Sequence, residues 1–173
     1  ESHWQYTFGD DIHRKYTDPL IEEDLRTFLA AQYKDKKLTA SEVDGIVANL
    51  RNTGGQNDYY ALQNTFLLYR DGYDFTYSDG RDNPFRLQYI DFEHPDHNIF
   101  RCVNQFVMEQ GRENRRPDIL LFVNGIPVCI VELKNPTKQN ATIRDAYTQI
   151  CTRYMRDIPA LLKYCALAVI SDG

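Results

Sequence analysis

The chain has no apolar run approaching the ~18 residues that a membrane-spanning helix needs, so no membrane partner is expected. It has no G-x-x-x-x-G-K-[ST] and no G-x-G-x-x-G loop, so no ATP or dinucleotide site is expected within it. Cysteine is scarce, with four residues at 102, 129, 151 and 165 and neither a C-x-x-C pair nor a His at zinc-finger spacing. Cys129 and Cys165 lie in apolar runs, where a thiol behaves as a small hydrophobe. All four are expected to be reduced, which fits a cytoplasmic setting. Basic charge is also short: 20 Lys and Arg face 25 Asp and Glu, a net charge of -5. Passive nucleic-acid binders are usually basic. The N-terminus is polar and aromatic, so no signal peptide is expected there. It starts at Glu1 rather than Met, so a fragment or processed chain is expected.

What remains suits one folded domain. The 173 residues are 42% hydrophobic and 13% aromatic, enough to build a core without staples. The charge is uneven. Residues 1–100 carry a balance of -8 and residues 101–173 a balance of +3, so a site for a polyanion is expected in the second half.

Trp4–Phe8 reads as a short strand. Asp18 and Pro19 supply an N-cap and a first helical residue, ahead of acidic residues at 22–24 and an apolar face of Leu20, Ile21, Leu25, Phe28 and Leu29. Thr39 or Ser41 opens a second helix with a stripe of Val43, Ile46, Val47 and Leu50. A third runs from about Asp58 to Arg70, with Gly72 as its stop. Residues 85–92 alternate as a strand, 94–98 read as a turn, and 99–108 as a second strand. His94 and His97 are potential metal ligands there, but the composition reads as a polar turn. A basic loop at 111–116 precedes the apolar strand 119–123. Asn124-Gly125 signals a hairpin into a strand over 126–134. A helix over 141–157 and a short apolar strand at 166–170 close a strand–helix–strand crossover. The sum is an α/β fold, a mixed central sheet flanked by helices, with a mainly helical part at 1–80 and a core at 81–173.

Asp118, Glu132 and Lys134 carry the chemistry. Glu-x-Lys on a strand puts both side chains on one face. A carboxylate from the neighbouring strand would give two hard oxygen ligands, which suit Mg²⁺. The ion would polarise a phosphoryl oxygen and lower the pKa of a bound water, with Lys134 orienting that water or meeting developing charge. The bare pattern is common: Asp35-x-Lys37 repeats it, Pro95-Asp96 repeats Pro117-Asp118, and a surface salt bridge explains either. Context strengthens the chemical reading beside the salt-bridge one, because both strands are apolar and sites collect at the ends of central strands. Arg112, Arg115, Arg116, Lys138, Arg144 and Arg153 are the candidate phosphate contacts.

The stretch RRPDILLFVNGIPVCIVELKNP (115–136) closely resembles the nuclease motif of type I restriction enzyme R subunits, within the PD-(D/E)xK superfamily. WQYTFGDDI (4–12), LQYIDFEHPDHNIFRCVNQF (87–106), NATIRDAYTQI (140–150) and IPALLKYCALAVISDG (158–173) resemble the same N-terminal domain in the same order. The resemblance implies a restriction-endonuclease-like core that cuts double-stranded DNA with Mg²⁺, for which Mn²⁺ can substitute. It implies Asp118 and Glu132 as metal ligands, Lys134 as the catalytic lysine and Gln149 facing the site. It also implies ATP-driven helicase-like domains after Gly173, cytoplasmic assembly with modification and specificity subunits, and DNA recognition by the latter. The family's Gln-x-x-x-Tyr is altered: Tyr154 stands five residues after Gln149 and Arg153 four. Both therefore remain candidates for the tyrosine's role. The family's upstream acid has no clear counterpart, since Glu22 and Glu23 read as a helix first turn. A non-catalytic docking module and a self-sufficient nuclease are the rival readings.

A plain two-residue turn at Asn124-Gly125 pairs Val123 with Ile126 and sets Asp118 opposite Val131. Glu132 and Lys134 then point to the other face. A shared metal requires a β-bulge or break between 117 and 132, with Pro127 or Pro117-Asp118 as candidate positions.

Overall fold

The computed structural model describes residues 3–133 and 143–171. Its frame is a mixed five-stranded sheet, with β1 (Trp4–Phe8) paired parallel to β4 (Phe100–Asn104). β4 runs antiparallel to β7 (Ile119–Val123), β7 antiparallel to β8 (Ile126–Leu133), and β8 parallel to β9 (Leu167–Ser171). Helices α1 (Glu22–Gln32), α2 (Ala40–Asn52) and α3 (Asp58–Asp71) form the N-terminal layer. Helix α4 (Ile143–Thr148) and its continuation lead back to β9. This is the restriction-endonuclease-like α/β arrangement that the resemblance implies. Among the described residues no helix is long and apolar enough to cross a membrane. The four cysteines are free thiols.

Two apolar clusters hold the layers together. One joins Leu25, Phe28, Ile46 and Leu50 to Tyr89, Ile126 and Tyr164. The other joins Val103, Leu120, Phe122 and Ile130 to Ile150, Tyr154, Ile158 and Leu161. Of the two starts that the sequence offers for α2, Thr39 and Ser41, the structure uses Thr39. Thr39 caps it through the Glu42 N–H, and Glu42 bonds back to the Thr39 N–H, forming a capping box. Glu42 also pairs with Arg81 at 2.6 Å. That hydrogen bond is the main reason its carboxyl is held down at about 2. A depressed acid contributes stability above its unfolded value, and loses it as pH falls toward the folded one. Thr39→Ala is expected to cost about 1 kcal/mol in urea unfolding. Glu42→Gln should be less stable than the parent at neutral pH, with the difference shrinking as pH falls from 4.5 toward 2.

The boundaries depart from the sequence expectations in four places. Helix α1 starts at Glu22, not at Pro19. Asp18 instead accepts the Leu20 N–H at 3.1 Å and pairs with Arg51 at 2.5 Å, while the Ile21 N–H is taken by Gly125 at 2.9 Å. Residues 85–92 yield only β3 (Phe85–Leu87), paired with β2 (Tyr73–Phe75). Leu87, Tyr89 and Asp91 do alternate inward, but among the described residues no strand pairs with 88–92. Residues 99–108 break after β4, where Gln105 turns to φ 54°. The basic loop is itself part of a hairpin, β5 (Met108–Gln110) with β6 (Glu113–Arg115), turning at Gly111.

Candidate active site

The β7–β8 hairpin positions the two acids. Asn124 and Gly125 both have positive φ, 51° and 75°, as a two-residue hairpin turn requires. Next to the turn, Val123 pairs with Ile126 and Phe122 with Pro127. Beyond it, Leu121 pairs with Cys129, Leu120 with Ile130 and Ile119 with Val131. Val128, immediately after Pro127, is the extra residue of a β-bulge. Its effect shows in the core: Ile126 and Val128 pack with the N-terminal helices, whereas Ile130, of the same parity, packs in the other cluster. The register beyond the bulge, carried one residue further, sets Asp118 opposite Glu132. The irregularity lies where the sequence geometry required one.

Asp118 is partly buried. Its Oδ2 accepts the Leu133 N–H at 2.9 Å, its backbone carbonyl accepts the Gln105 N–H at 3.0 Å, and Gln105 Nε2 stands 3.5 Å from Oδ1. Glu132 is 1% exposed. Gln149 Nε2 donates to its Oε2 and the Tyr154 hydroxyl to its Oε1, each at 2.7 Å. Gln149 Nε2 also lies 2.7 Å from the Tyr154 oxygen. Burial first, then the Glu132 hydrogen bond and charge, push the Tyr154 phenol up, so it remains a donor.

Five-residue spacing would separate Gln149 and Tyr154 on an ordinary α-helix. Here Gln149–Tyr154 is a π-helical turn, in which the Met155 N–H reaches the Ile150 carbonyl five residues back. The wider turn returns Tyr154 to Gln149, and Arg153 is exposed instead. Tyr154, not Arg153, meets Gln149 at Glu132.

Lys134 and Lys138 lie outside the described residues. A cavity of about 310 Å³ beside Gln149 and Tyr154 is edged by Arg115, Arg153 and Arg156. Arg115 is not a free cation: it pairs with buried Asp157 at 2.5 Å and with Glu113 at 2.7 Å. Arg156 reaches the same Asp157 at 2.6 Å. Arg112, Arg116 and Arg144 are exposed but do not line this cavity. Gln105 and Arg156 were missed by sequence reasoning. Arg156 had a signal in its three-residue spacing from Arg153, which puts both on one helix face; Gln105 had none. A larger cavity of about 930 Å³ lies elsewhere, bordered by Asp18, Glu22, Arg26 and Arg51, charges already paired with one another. The first-turn acid Glu22 is thus committed to Arg26 and Arg51.

A mixed sheet with two acids opposed across a bulged hairpin, backed by a glutamine and a tyrosine from one helix, places the chain among restriction-endonuclease-like α/β domains. Comparison with known proteins narrows this. Residues 1–173 match the family described as "Type I restriction enzyme R protein N terminus", and the chain belongs to that family. It is 31% identical over 180 aligned positions to the type I restriction enzyme HindI endonuclease subunit of Haemophilus influenzae, covering 98% of this chain and 17% of that protein. It is 46% identical over 90 residues to the putative type I restriction enzyme MjaIXP endonuclease subunit of Methanocaldococcus jannaschii, covering 50% of this chain and 8% of the relative. A third relative, the EcoprrI endonuclease subunit of Escherichia coli, is 34% identical over 58% of this chain and 31% of its own length. The chain therefore spans a minor part of the relatives it matches.

Proposed function

We propose that this chain is the DNA-cleaving domain of a type I restriction R subunit, hydrolysing phosphodiester bonds with Mg²⁺. The observation that carries the reading is the bulge-shifted register, which opposes Asp118 and Glu132 on the face where Gln149 and Tyr154 meet. The donor set fits a hard divalent ion: two carboxylates, each oriented by hydrogen bonds. Bound there, the ion supplies Lewis acidity and an activated water. Asp118 and Glu132 hold it. Gln149 and Tyr154 fix the Glu132 carboxylate, and Lys134 meets the charge on the scissile phosphate. Arg153 and Arg156 draw the DNA backbone toward the cavity. In this reading ATP hydrolysis and site recognition belong to polypeptide outside this chain, within a cytoplasmic complex of restriction, modification and specificity subunits.

A docking module that merely kept the fold has no need of aligned acids. Mn²⁺ titration separates the two. The parent protein should bind Mn²⁺, and Asp118→Asn should weaken binding by at least about tenfold, the lower end of what even an outer-shell change costs a metal site. Equal binding by parent and variant would remove the basis of the nuclease reading.

A further inference from the structure

The segment between β3 and β4 holds a cluster that the nuclease reading leaves unused. Asp91 is 5% exposed. Its Oδ1 accepts the backbone N–H groups of Glu93 at 3.0 Å and His94 at 2.8 Å. Its Oδ2 accepts Gln32 Nε2 at 2.9 Å and faces two imidazoles, with His97 Nδ1 at 3.0 Å and His94 Nδ1 at 3.6 Å. The 3-10 turn Pro95–His97 brings the two rings into a stack, centroids 5.0 Å apart and planes 20° from parallel. One ligand atom from each of the three residues lies within 4.8 Å of the others. Among the described residues this is the one group of three His, Cys, Asp or Glu side chains so arranged.

We propose that Asp91, His94 and His97 form a second metal site, for a zinc-class transition ion. Tetrahedral zinc with bonds of about 2.0–2.1 Å sets neighbouring ligand atoms about 3.3 Å apart. The two separations from Asp91 Oδ2, 3.0 and 3.6 Å, straddle that value. Two imidazoles and one carboxylate suit Zn²⁺, whereas Mg²⁺ demands an octahedron of oxygens. Gln32 and the two backbone amides give the carboxylate the outer hydrogen bonds that ligating acids carry. The histidine side chains are 63% and 55% exposed, so an ion has a path in and a fourth position open to water.

The site is placed to act as a clasp. Asn98 accepts the Asp91 N–H at 2.9 Å and donates to the Asp91 carbonyl at 2.7 Å. The Asn124 amide of the hairpin turn in turn donates to Asn98 at 2.8 Å. The cluster thus ties α1, this loop and the β7–β8 turn together. It stands at the turn end of β7, while Asp118 precedes the other end, so the two metal sites are separate and each can fail without the other.

The test uses the natural full-length protein, stripped with chelator and held in Mg²⁺ to fill the carboxylate site. Titration with Zn²⁺ by calorimetry should give one more ion per chain in the parent than in the His94→Gln/His97→Gln double variant. Co²⁺ should give the parent, not the double variant, strong visible d–d absorption of low coordination number. In a Glu132→Gln background the same one-ion difference between the His94/His97 parent and its double variant should remain. Both histidines are exposed, and thermal melting of the metal-free proteins checks that the variants fold. Identical Zn²⁺ stoichiometry and affinity in parent and double variant would overturn the proposal.

Discussion

Glu132→Gln is expected to lower DNA cleavage by about 10³-fold or more in the assembled restriction complex, with ATP hydrolysis retained. The size follows from what the carboxylate does under the proposed mechanism. It supplies one of two protein charges to the metal, and metal-borne stabilisation of the transition state is worth several kcal/mol, each 1.36 kcal/mol being tenfold in rate. Glutamine is the informative substitution. Alanine would leave the Gln149 amide and the Tyr154 hydroxyl without their acceptor in a buried setting, at about 1–3 kcal/mol of stability. Loss of activity would then be confounded with loss of fold. Near-normal cleavage by a folded Glu132→Gln enzyme would sink the assignment of this acid.

The largest effect on stability is expected at Gly125. Its φ of 75° already disfavours any side chain, by about 1–2 kcal/mol. A Cβ there would stand 2.1 Å from the Ile21 carbonyl oxygen and 3.1 Å from the Leu25 nitrogen. Both are backbone atoms at the start of α1, and the Ile21 N–H is itself bonded to the Gly125 carbonyl. Relief therefore means moving a helix, which adds about 1–3 kcal/mol of overpacking. Gly125→Ala should lose roughly 2–5 kcal/mol, a fall in Tm of about 5–20 °C for a domain of this size. Gly111→Ala is the control: its φ of 63° is similar, but nothing lies within 4 Å of the added carbon. Thermal melts showing the two variants equally stable would mean that the turn does not bear on α1.

Much of the site was legible because its determinants are local. Alternation and apolar runs located β7 and β8, Asn124-Gly125 fixed the turn, and Pro117-Asp118 and Glu132 fell at the far ends of those strands. Parity then demanded an extra residue in the hairpin, and Val128 supplies it beside Pro127. The α2 stripe of Ile46, Val47 and Leu50 was equally readable, with Thr39 one of the two caps on offer, since a 3.6 period and an N-cap need only neighbouring residues; the third helix's stripe was not, for Tyr59 and Phe66 are exposed. Residues 85–92 show the limit. Their alternation told correctly which side chains turn inward but not that, among the described residues, no strand pairs with 88–92, because pairing is decided by chain far away in sequence.

The sequence by itself determined the mixed α/β composition, the hairpin that carries the two candidate acids and the need for a bulge in it. Only the tertiary structure decided what those acids touch. Tyr154 reaches Glu132 because packing of Ile150 and Ile158 accompanies a π-turn that spacing rules do not foresee. Arg115, a free cation on paper, is held by Asp157 from a segment 42 residues away. Asp91 gains its two histidines because a 3-10 turn folds them back and Gln32 of α1 holds the carboxylate from 59 residues away. Period and capping are properties of a few adjacent residues. Contacts between distant segments depend on how whole layers settle, and only the folded chain contains that information.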